Sequence, residues 1–85
     1  MGERKEVVLL TGASGSMGFE TFKLLWEKRD RYDIVLLLRP SKKNRKQFHR
    51  YKQEVKIVWG DVLNREDVVE ACRGIDWCLH PMALI

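Results

Sequence analysis

Four short apolar runs, separated by longer stretches of mixed character, constrain the fold of this chain more than any other feature. The runs cover residues 7–10, 34–38, 55–59 and 77–79 and are rich in branched or aromatic side chains. The first two are continuously apolar, which is typical of strands buried on both faces of a parallel sheet. We therefore predict four strands, with a connection of some 15–25 residues between each pair.

The first two connections are predicted to contain helices of different character. In the first, Phe19, Phe22 and the pair Leu25–Trp26 recur at helical spacing, with charged residues on the opposite side. The second offers only Phe48 and Tyr51 as an apolar stripe among basic residues. We expect a well-formed amphipathic helix in the first connection and a short, exposed helix in the second.

The third connection carries start and stop signals for a helix. Asn64 is a predicted N-cap, with Asp67 three residues later. Gly74 is a predicted helix stop. Between these signals an apolar stripe is expected at Val68, Val69 and Cys72.

The resulting order, β-α-β-α-β-α-β, predicts an α/β fold with a doubly wound parallel sheet. Right-handed crossovers and the Rossmann topology would give the strand order 3-2-1-4. In half of such a sheet strand 4 is left as an exposed apolar edge. We therefore expect residues 1–85 to be the N-terminal portion of a single domain whose remainder and substrate region are absent from this chain.

Composition places the chain among ordinary globular proteins. It is 45% hydrophobic and 33% charged. No apolar run approaches the roughly 20 residues that span a bilayer, and the N-terminal apolar stretch is too short for a signal peptide. Two cysteines, Cys72 and Cys78, are too few for a disulfide framework and are predicted to be buried thiols. A cytoplasmic location without a membrane partner is the expectation.

Three glycines stand where the first strand should pass directly into the first helix. Gly12 would make the tight turn, Gly15 would let an anion approach without a Cβ in the way, and Gly18 would let the helix pack against the strand. Such a unit points the first N–H groups of the helix, with about half a positive charge, at one spot suited to a pyrophosphate. Additional donors are expected from Ser14 and Ser16.

The segment Thr11–Gly18, which also contains Met17, resembles the Thr-Gly-x-x-Gly-x-x-Gly signature of the extended short-chain dehydrogenase/reductase family, the epimerase/dehydratase group. The resemblance covers all 85 residues. It implies a nicotinamide dinucleotide cofactor. It also implies that Asp61, in the step Gly60-Asp61-Val62, meets the adenine amino group. The family's His-x-Ala-Ala stretch beside the cofactor ribose corresponds to residues 80–83, where Pro81 and Met82 precede Ala83.

The end of the second strand predicts which dinucleotide is preferred. An acidic residue there would favour NAD by accepting from the ribose 2′-hydroxyl. This chain has Arg39, 21 positions after Gly18, followed by Lys42 and Lys43. A guanidinium can hold a 2′-phosphate in a bidentate manner, and neighbouring ammonium groups add attraction. NADP is therefore the expected cofactor.

The positive charge of the chain is concentrated in one segment. Seven Lys or Arg and no acid lie between Arg39 and Gln53, whereas the whole chain carries +4, so the remainder sums to −3. Beyond Lys43 these basic residues are interpreted as a solvated helix face. Phe48 and Tyr51 could stack on single-stranded nucleic acid. Docking of the helix on the sheet is the simpler interpretation, and no nucleic-acid partner is expected.

Neither a metal site nor a catalytic centre is predicted within the 85 residues. The spacing of Cys72, Cys78 and His80 fits no zinc pattern. His80 is interpreted as a structural histidine near the cofactor crevice. In the resembled family a Tyr-x-x-x-Lys pair supplies the acid–base chemistry, but Leu36 and Val55 stand four residues after the two tyrosines.

Two functions remain open from the sequence. The first is the cofactor-binding part of an oxidoreductase, epimerase or dehydratase that acts on a carbonyl or sugar-nucleotide substrate. The second is a non-catalytic dinucleotide sensor of the same fold. Nothing in the residues selects the substrate. The resemblance implies that any homodimer of the full-length protein uses helices beyond this segment.

Overall fold

Four parallel strands form one sheet, with helices on both faces. A computed structural model describes residues 5–80. The strands lie in the predicted order β3-β2-β1-β4. The elements are β1 (Glu6–Thr11), α1 (Ser16–Glu27), β2 (Tyr32–Leu38), α2 (Lys42–Phe48) with a following 3-10 turn (His49–Tyr51), β3 (Lys56–Trp59), α3 (Arg65–Ala71) and β4 (Trp77–Leu79).

The two central strands are buried on both faces, as their continuous apolar runs predict. Side chains alternate between the faces with the period of two of a strand. On one face Leu10 and Leu36 pack with Phe22 of α1 and Phe48 of α2. On the other face Leu9, Val35 and Leu37 pack with Ala71 of α3. β1 and β2 thus form the centre of the sheet, and the three helices pack against their side chains.

The predicted amphipathic helix α1 is confirmed, with Phe22 and Leu25 buried against the sheet. Four aromatic rings extend this contact to α2 and its 3-10 turn. Phe22 lies 5.3 Å from Phe48 and 4.9 Å from Tyr51, ring centroid to centroid. Trp26 lies 4.9 Å from Tyr51. The interpretation of Phe48 and Tyr51 as a docking stripe is therefore confirmed.

Both short helices begin at side-chain caps. The Ser41 hydroxyl accepts a hydrogen bond from the Asn44 N–H at 3.1 Å at the start of α2. The Asn64 side chain accepts one from the Asp67 N–H at 3.2 Å, which confirms the predicted N-cap of α3. After α3 the chain turns at Gly74, whose φ of 72° favours glycine.

The apolar stripe predicted for α3 is wrong in its rotational phase. Ala71 is buried and Val68 packs beside it, whereas Val69 is 52% exposed and Cys72 is exposed. Each helical residue advances about 100°, so the pairs 68/71 and 69/72 mark different faces. The short helix packs its Ala71 side against Leu9 and Val35 of the sheet, and Val69 is left on the outer side.

The prediction that both cysteines are buried is also wrong. Cys72 caps the end of α3, and Cys78 lies in β4, whose three residues are all exposed. β4 is an edge strand of the sheet, as expected, and Trp77 remains 59% exposed. Within residues 5–80 no helix covers β4 as α1 covers β1, so the apolar residues of β4 remain exposed. In the same range no helix is long and apolar enough to cross a membrane.

Candidate functional site

The loop between β1 and α1 is a tight turn that contains two glycines, Gly12 and Gly15. Gly12 has a φ of 69°, in the left-handed region that side chains disfavour. Its carbonyl oxygen accepts a hydrogen bond from the Gly15 N–H at 3.1 Å. This pair closes the turn and directs the chain into α1 at the carboxyl end of the sheet.

Gly18 allows α1 to begin directly against this turn. A Cβ at position 18 would lie 1.8 Å from the Gly12 carbonyl oxygen and 2.5 Å from its carbon. Both atoms belong to the backbone, so no side-chain rotation could relieve the contact. The close packing predicted at Gly18 is present, but its partner is the turn after the strand, at Gly12 and Ala13, rather than the strand itself.

Gly15 differs from the other two glycines because the protein itself leaves room for a side chain. Its backbone is extended, with φ −79° and ψ 170°. A Cβ there would meet nothing nearer than the Gly12 oxygen at 3.6 Å, an ordinary contact. Gly15 is also the N-cap of α1, and no side chain caps the helix or places an acid in its first turn. The N-terminal N–H groups of α1 therefore have no side-chain cap, and the residue before them has no side chain.

A cleft of about 230 Å³ joins the carboxyl ends of the strands. Four of the predicted site residues line it, namely Gly12, Ser14, Arg39 and Val62. The remaining lining residues are Thr11, Leu37, Leu38, Gly60 and His80. Small-molecule pockets typically measure about 300–1,000 Å³, so the described residues enclose part of such a ligand.

The other predicted site residues lie around this cleft or outside the described part of the chain. Ser16 and Met17 are in the first turn of α1, beside Gly15 and Gly18. The exposed Lys42 and Lys43 begin α2. The predicted ribose-side residues Pro81, Met82 and Ala83 lie outside residues 5–80.

Arg39 reaches the cleft from the end of β2, and its backbone is held firmly. Its carbonyl oxygen accepts hydrogen bonds from the Ser41 N–H at 2.9 Å and from the buried Asn44 side chain at 3.0 Å. Within residues 5–80 no carboxylate lies within ion-pair distance of its guanidinium. The exposed charge is therefore positioned at the cleft and unneutralised.

Asp61 performs a structural role in the turn after β3. One carboxylate oxygen accepts a hydrogen bond from the Leu63 N–H at 2.9 Å. Its own N–H donates to the Asp67 carboxylate at 2.9 Å. These bonds hold the turn so that its neighbours Gly60 and Val62 line the cleft.

Thr11 is a cleft residue that the sequence did not single out as a contact. It ends β1, and its hydroxyl is hydrogen-bonded to the His80 imidazole at Nδ1. This bond joins the ends of β1 and β4 across the cleft and gives His80 a structural partner. The signal available in the sequence was the position of Thr11 immediately before the first glycine.

Within residues 5–80 the two cysteines belong to no metal-binding cluster. In the described part of the chain no three His, Cys, Asp or Glu side chains are grouped closely enough to hold a metal ion. Partial burial raises the pKa of the Cys78 thiol, and nearby Cys72 adds to the shift. A raised pKa keeps a thiol protonated and poorly nucleophilic at neutral pH.

Comparison with known proteins supports the fold assignment. No protein-family model matches the sequence. Among similar solved structures, an enzyme named KRED1-Pglu superposes with a TM-score of 0.64 at 24% identity over 79% of this chain. Pen from Bacillus thuringiensis gives 0.76 at 20% identity over 99%. A short-chain dehydrogenase/reductase from Saccharomyces cerevisiae gives 0.72 at 19% identity over 93%.

The likenesses extend over only part of those proteins. The chain spans 28%, 27% and 34% of their respective lengths. In this chain those matches fall on a β-α-β-α-β-α-β unit with strand order 3-2-1-4, covered to between 79% and 99%. The chain therefore has the Rossmann-like α/β fold that is found in a short-chain dehydrogenase/reductase.

Proposed function

We propose that this chain binds a nicotinamide dinucleotide across the carboxyl ends of its strands, as the cofactor-binding part of an oxidoreductase. The observation that carries the proposal is the uncapped N-terminus of α1 beside Gly15, where the protein has no internal need for a glycine. Gly12 and Gly18 account for the shape of the turn. Gly15 is explained by a ligand that must approach the backbone closely.

A pyrophosphate fits this position chemically. Helix N-terminal N–H groups donate to anionic oxygens, and the helix dipole adds about half a positive charge. The absence of an acid in the first turn of α1 leaves that charge unopposed. Ser14 and Ser16 are proposed as additional donors, and Met17 and Gly18 as backbone contacts. When bound, the nicotinamide supplies the hydride chemistry, and the protein supplies binding and orientation.

We assign the 2′-phosphate of NADP to Arg39. Arg39 lines the cleft, its guanidinium has no carboxylate partner in residues 5–80, and an unpaired guanidinium suits bidentate phosphate binding. Lys42 and Lys43, in the first turn of the next helix, add positive charge on the same side. These residues support NADP over NAD.

The adenine and ribose assignments complete the proposed site. The turn at Asp61 and Val62 borders the cleft on the β3 side, where the adenine would lie. Because one Asp61 oxygen is bonded within the turn, an adenine amino group would use its second oxygen. Pro81, Met82 and Ala83 are proposed on the ribose side from the family resemblance.

The oxidoreductase, epimerase or dehydratase activity is proposed for a longer protein of the extended group. No Tyr-x-x-x-Lys pair occurs among the 85 residues. Tyr51 is packed in the aromatic cluster and Tyr32 begins β2. The same observation favours the second candidate, a dinucleotide sensor without catalysis. A Tyr-x-x-x-Lys pair in the full-length sequence would favour the enzyme, and its absence would favour the sensor.

The Gly15→Asp substitution separates binding from folding. An aspartate is a good N-cap, so the free energy of unfolding should stay equal or rise. Its charge would face the pyrophosphate, where two like charges about 4 Å apart cost about 1–4 kcal/mol at effective dielectric constants between 80 and 20. NADPH affinity should therefore fall about 5- to 1,000-fold. Titration of NADPH into the 15N-labelled chain gives the affinity, and the backbone amide shifts show which residues the cofactor contacts. Unchanged affinity would contradict the proposed pyrophosphate position.

The Arg39→Asp substitution tests cofactor preference. The wild-type chain should bind NADPH more tightly than NADH, and the aspartate should reverse the order because it repels the 2′-phosphate and accepts from the 2′-hydroxyl. Arg50→Asp makes the same charge change at an exposed site outside the cleft and should leave the ratio unaltered. Equal binding of both dinucleotides by the wild type and by Arg39→Asp would refute the NADP assignment.

A further inference from the structure

A second groove lies on the outer side of β3, away from the dinucleotide cleft. It measures about 440 Å³ and is lined by Arg45, Phe48, His49, Lys52, Ile57 and Trp59. None of these residues lines the cleft at the carboxyl ends of the strands. We name it the β3 groove.

One wall of the β3 groove is a row of cationic or titratable side chains. Arg45, His49 and Lys52 recur at intervals of four and three along α2 and its 3-10 turn, so they share one side. The floor is apolar, with Phe48 fully buried beneath. The lining contains no acid, and the first acid after the basic segment, Glu54, is bonded to Arg29. The groove therefore attracts an anionic ligand.

The opposite wall is the free edge of β3. The Gly60 N–H donates to the Leu38 carbonyl at 2.8 Å, towards β2. Since backbone groups alternate in direction along a strand, those of Ile57 and Trp59 point away from β2. Within residues 5–80 no strand pairs with this side of β3. Such an edge is a template for an added strand.

The same two residues place their side chains in the groove. The Arg45 guanidinium lies over the Trp59 ring, 4.6 Å from its centroid, which holds both groups at the groove wall. A strand added to β3 would project every second side chain towards the helix. Alternate residues of a strand are about 6.6–6.8 Å apart, close to the rise of about 6 Å for four helical residues. Acidic side chains at alternate positions would therefore meet the basic row.

We propose that the β3 groove binds an extended acidic segment of a partner protein, which pairs with the edge of β3 and directs alternate carboxylates at Arg45, His49 and Lys52. The charge of the groove determines this choice of partner. A second copy of the chain pairing through the same edge would bring two basic rows together. The proposal is independent of dinucleotide binding.

The test uses a capped octapeptide of alternating glutamate and threonine, titrated into the 15N-labelled chain at physiological salt. The Ile57 and Trp59 amides and the Trp59 indole should shift. Arg45→Glu/Lys52→Glu should weaken binding at least tenfold. The matched variant Lys46→Glu/Arg50→Glu, which changes the same charge in the same segment outside the groove lining, should weaken it less than threefold. If the first variant fails to fold, Arg45→Gln/Lys52→Gln replaces it, with the same expected order.

Backbone pairing is tested with two further probes. In one probe the backbone nitrogen of every glutamate is methylated, and in the other that of every threonine. Because the N–H groups of alternate residues point to opposite edges of a strand, each probe lacks the donors of one edge only. One probe should lose binding and the other should retain it. Equal binding by both would overturn strand pairing, and equal weakening by the two charge variants would overturn the groove. Tighter, groove-dependent binding of octathymidylate would overturn the peptide in favour of single-stranded nucleic acid.

Discussion

The Gly18→Ala substitution is expected to lower the free energy of unfolding by about 3 kcal/mol or more, the upper end of the range for overpacked sites. In an unconstrained helix the same change would stabilise the chain by about 1 kcal/mol. The sign is reversed here because the new Cβ would lie 1.8 Å from the Gly12 oxygen. Gly12 cannot move aside easily, since its φ is 69° and its carbonyl holds the Gly15 N–H.

Urea denaturation measures the loss, and Gly15→Ala is the matched control in the same loop. Its Cβ would meet only the Gly12 oxygen at 3.6 Å, so its effect on stability should stay within about 1 kcal/mol. Dinucleotide binding should fall in both variants, but only Gly18→Ala should lose stability. If Gly18→Ala is as stable as the wild type, the turn and α1 are not packed as described.

The Phe48→Ala substitution is expected to cost about 3–5 kcal/mol, as for other fully buried phenylalanines. Phe48 is 0% exposed and packs against Phe22 and Phe19 at centroid distances of 5.3 and 5.9 Å. Domains have about 0.05–0.15 kcal/mol of stability per residue, so this loss removes much of what an 85-residue chain has. α2 should detach from the sheet with its basic residues.

Thermal or chemical unfolding gives the size of this effect, and Leu63→Ala provides the comparison. Leu63 is 85% exposed, so removing its side chain should change stability by no more than about 0.5 kcal/mol. Amide exchange of α2 should also accelerate in Phe48→Ala. A loss below about 1 kcal/mol would mean that the aromatic cluster does not anchor α2.

The element order and the turn of the candidate site could be predicted from sequence because their signals are local. The continuous apolar runs at 7–10 and 34–38 need no knowledge of neighbours to indicate buried strands. The Asn64 cap depends on a residue three positions away, and the Gly12 turn on a backbone conformation that glycine adopts readily. The strand order followed from the Rossmann topology together with right-handed crossovers.

Burial in the outer elements could not be predicted in the same way. Cys78 lies in the apolar run 77–79 and was expected to be buried, but it is exposed because β4 is at the edge of the sheet. The sequence of α3 has apolar residues on two sides of the helix. The side with Ala71 contacts Leu9 and Val35, and the side with Val69 is exposed. In both cases exposure depends on which element covers the residue.

Local patterns in the sequence predicted the order of the strands and helices, the glycines that shape the turn, and the segment in which the positive charge is concentrated. The folded chain was needed to show that Gly18 has no room for a side chain while Gly15 has, that Thr11 bonds His80 across the cleft, and that Arg45 and Lys52 border the free edge of β3. Backbone preferences depend on residues a few positions apart, so they can be read from the sequence. The contacts of Thr11 with His80 and of α2 with β3 join segments that are distant along the chain and become neighbours only when the chain has folded.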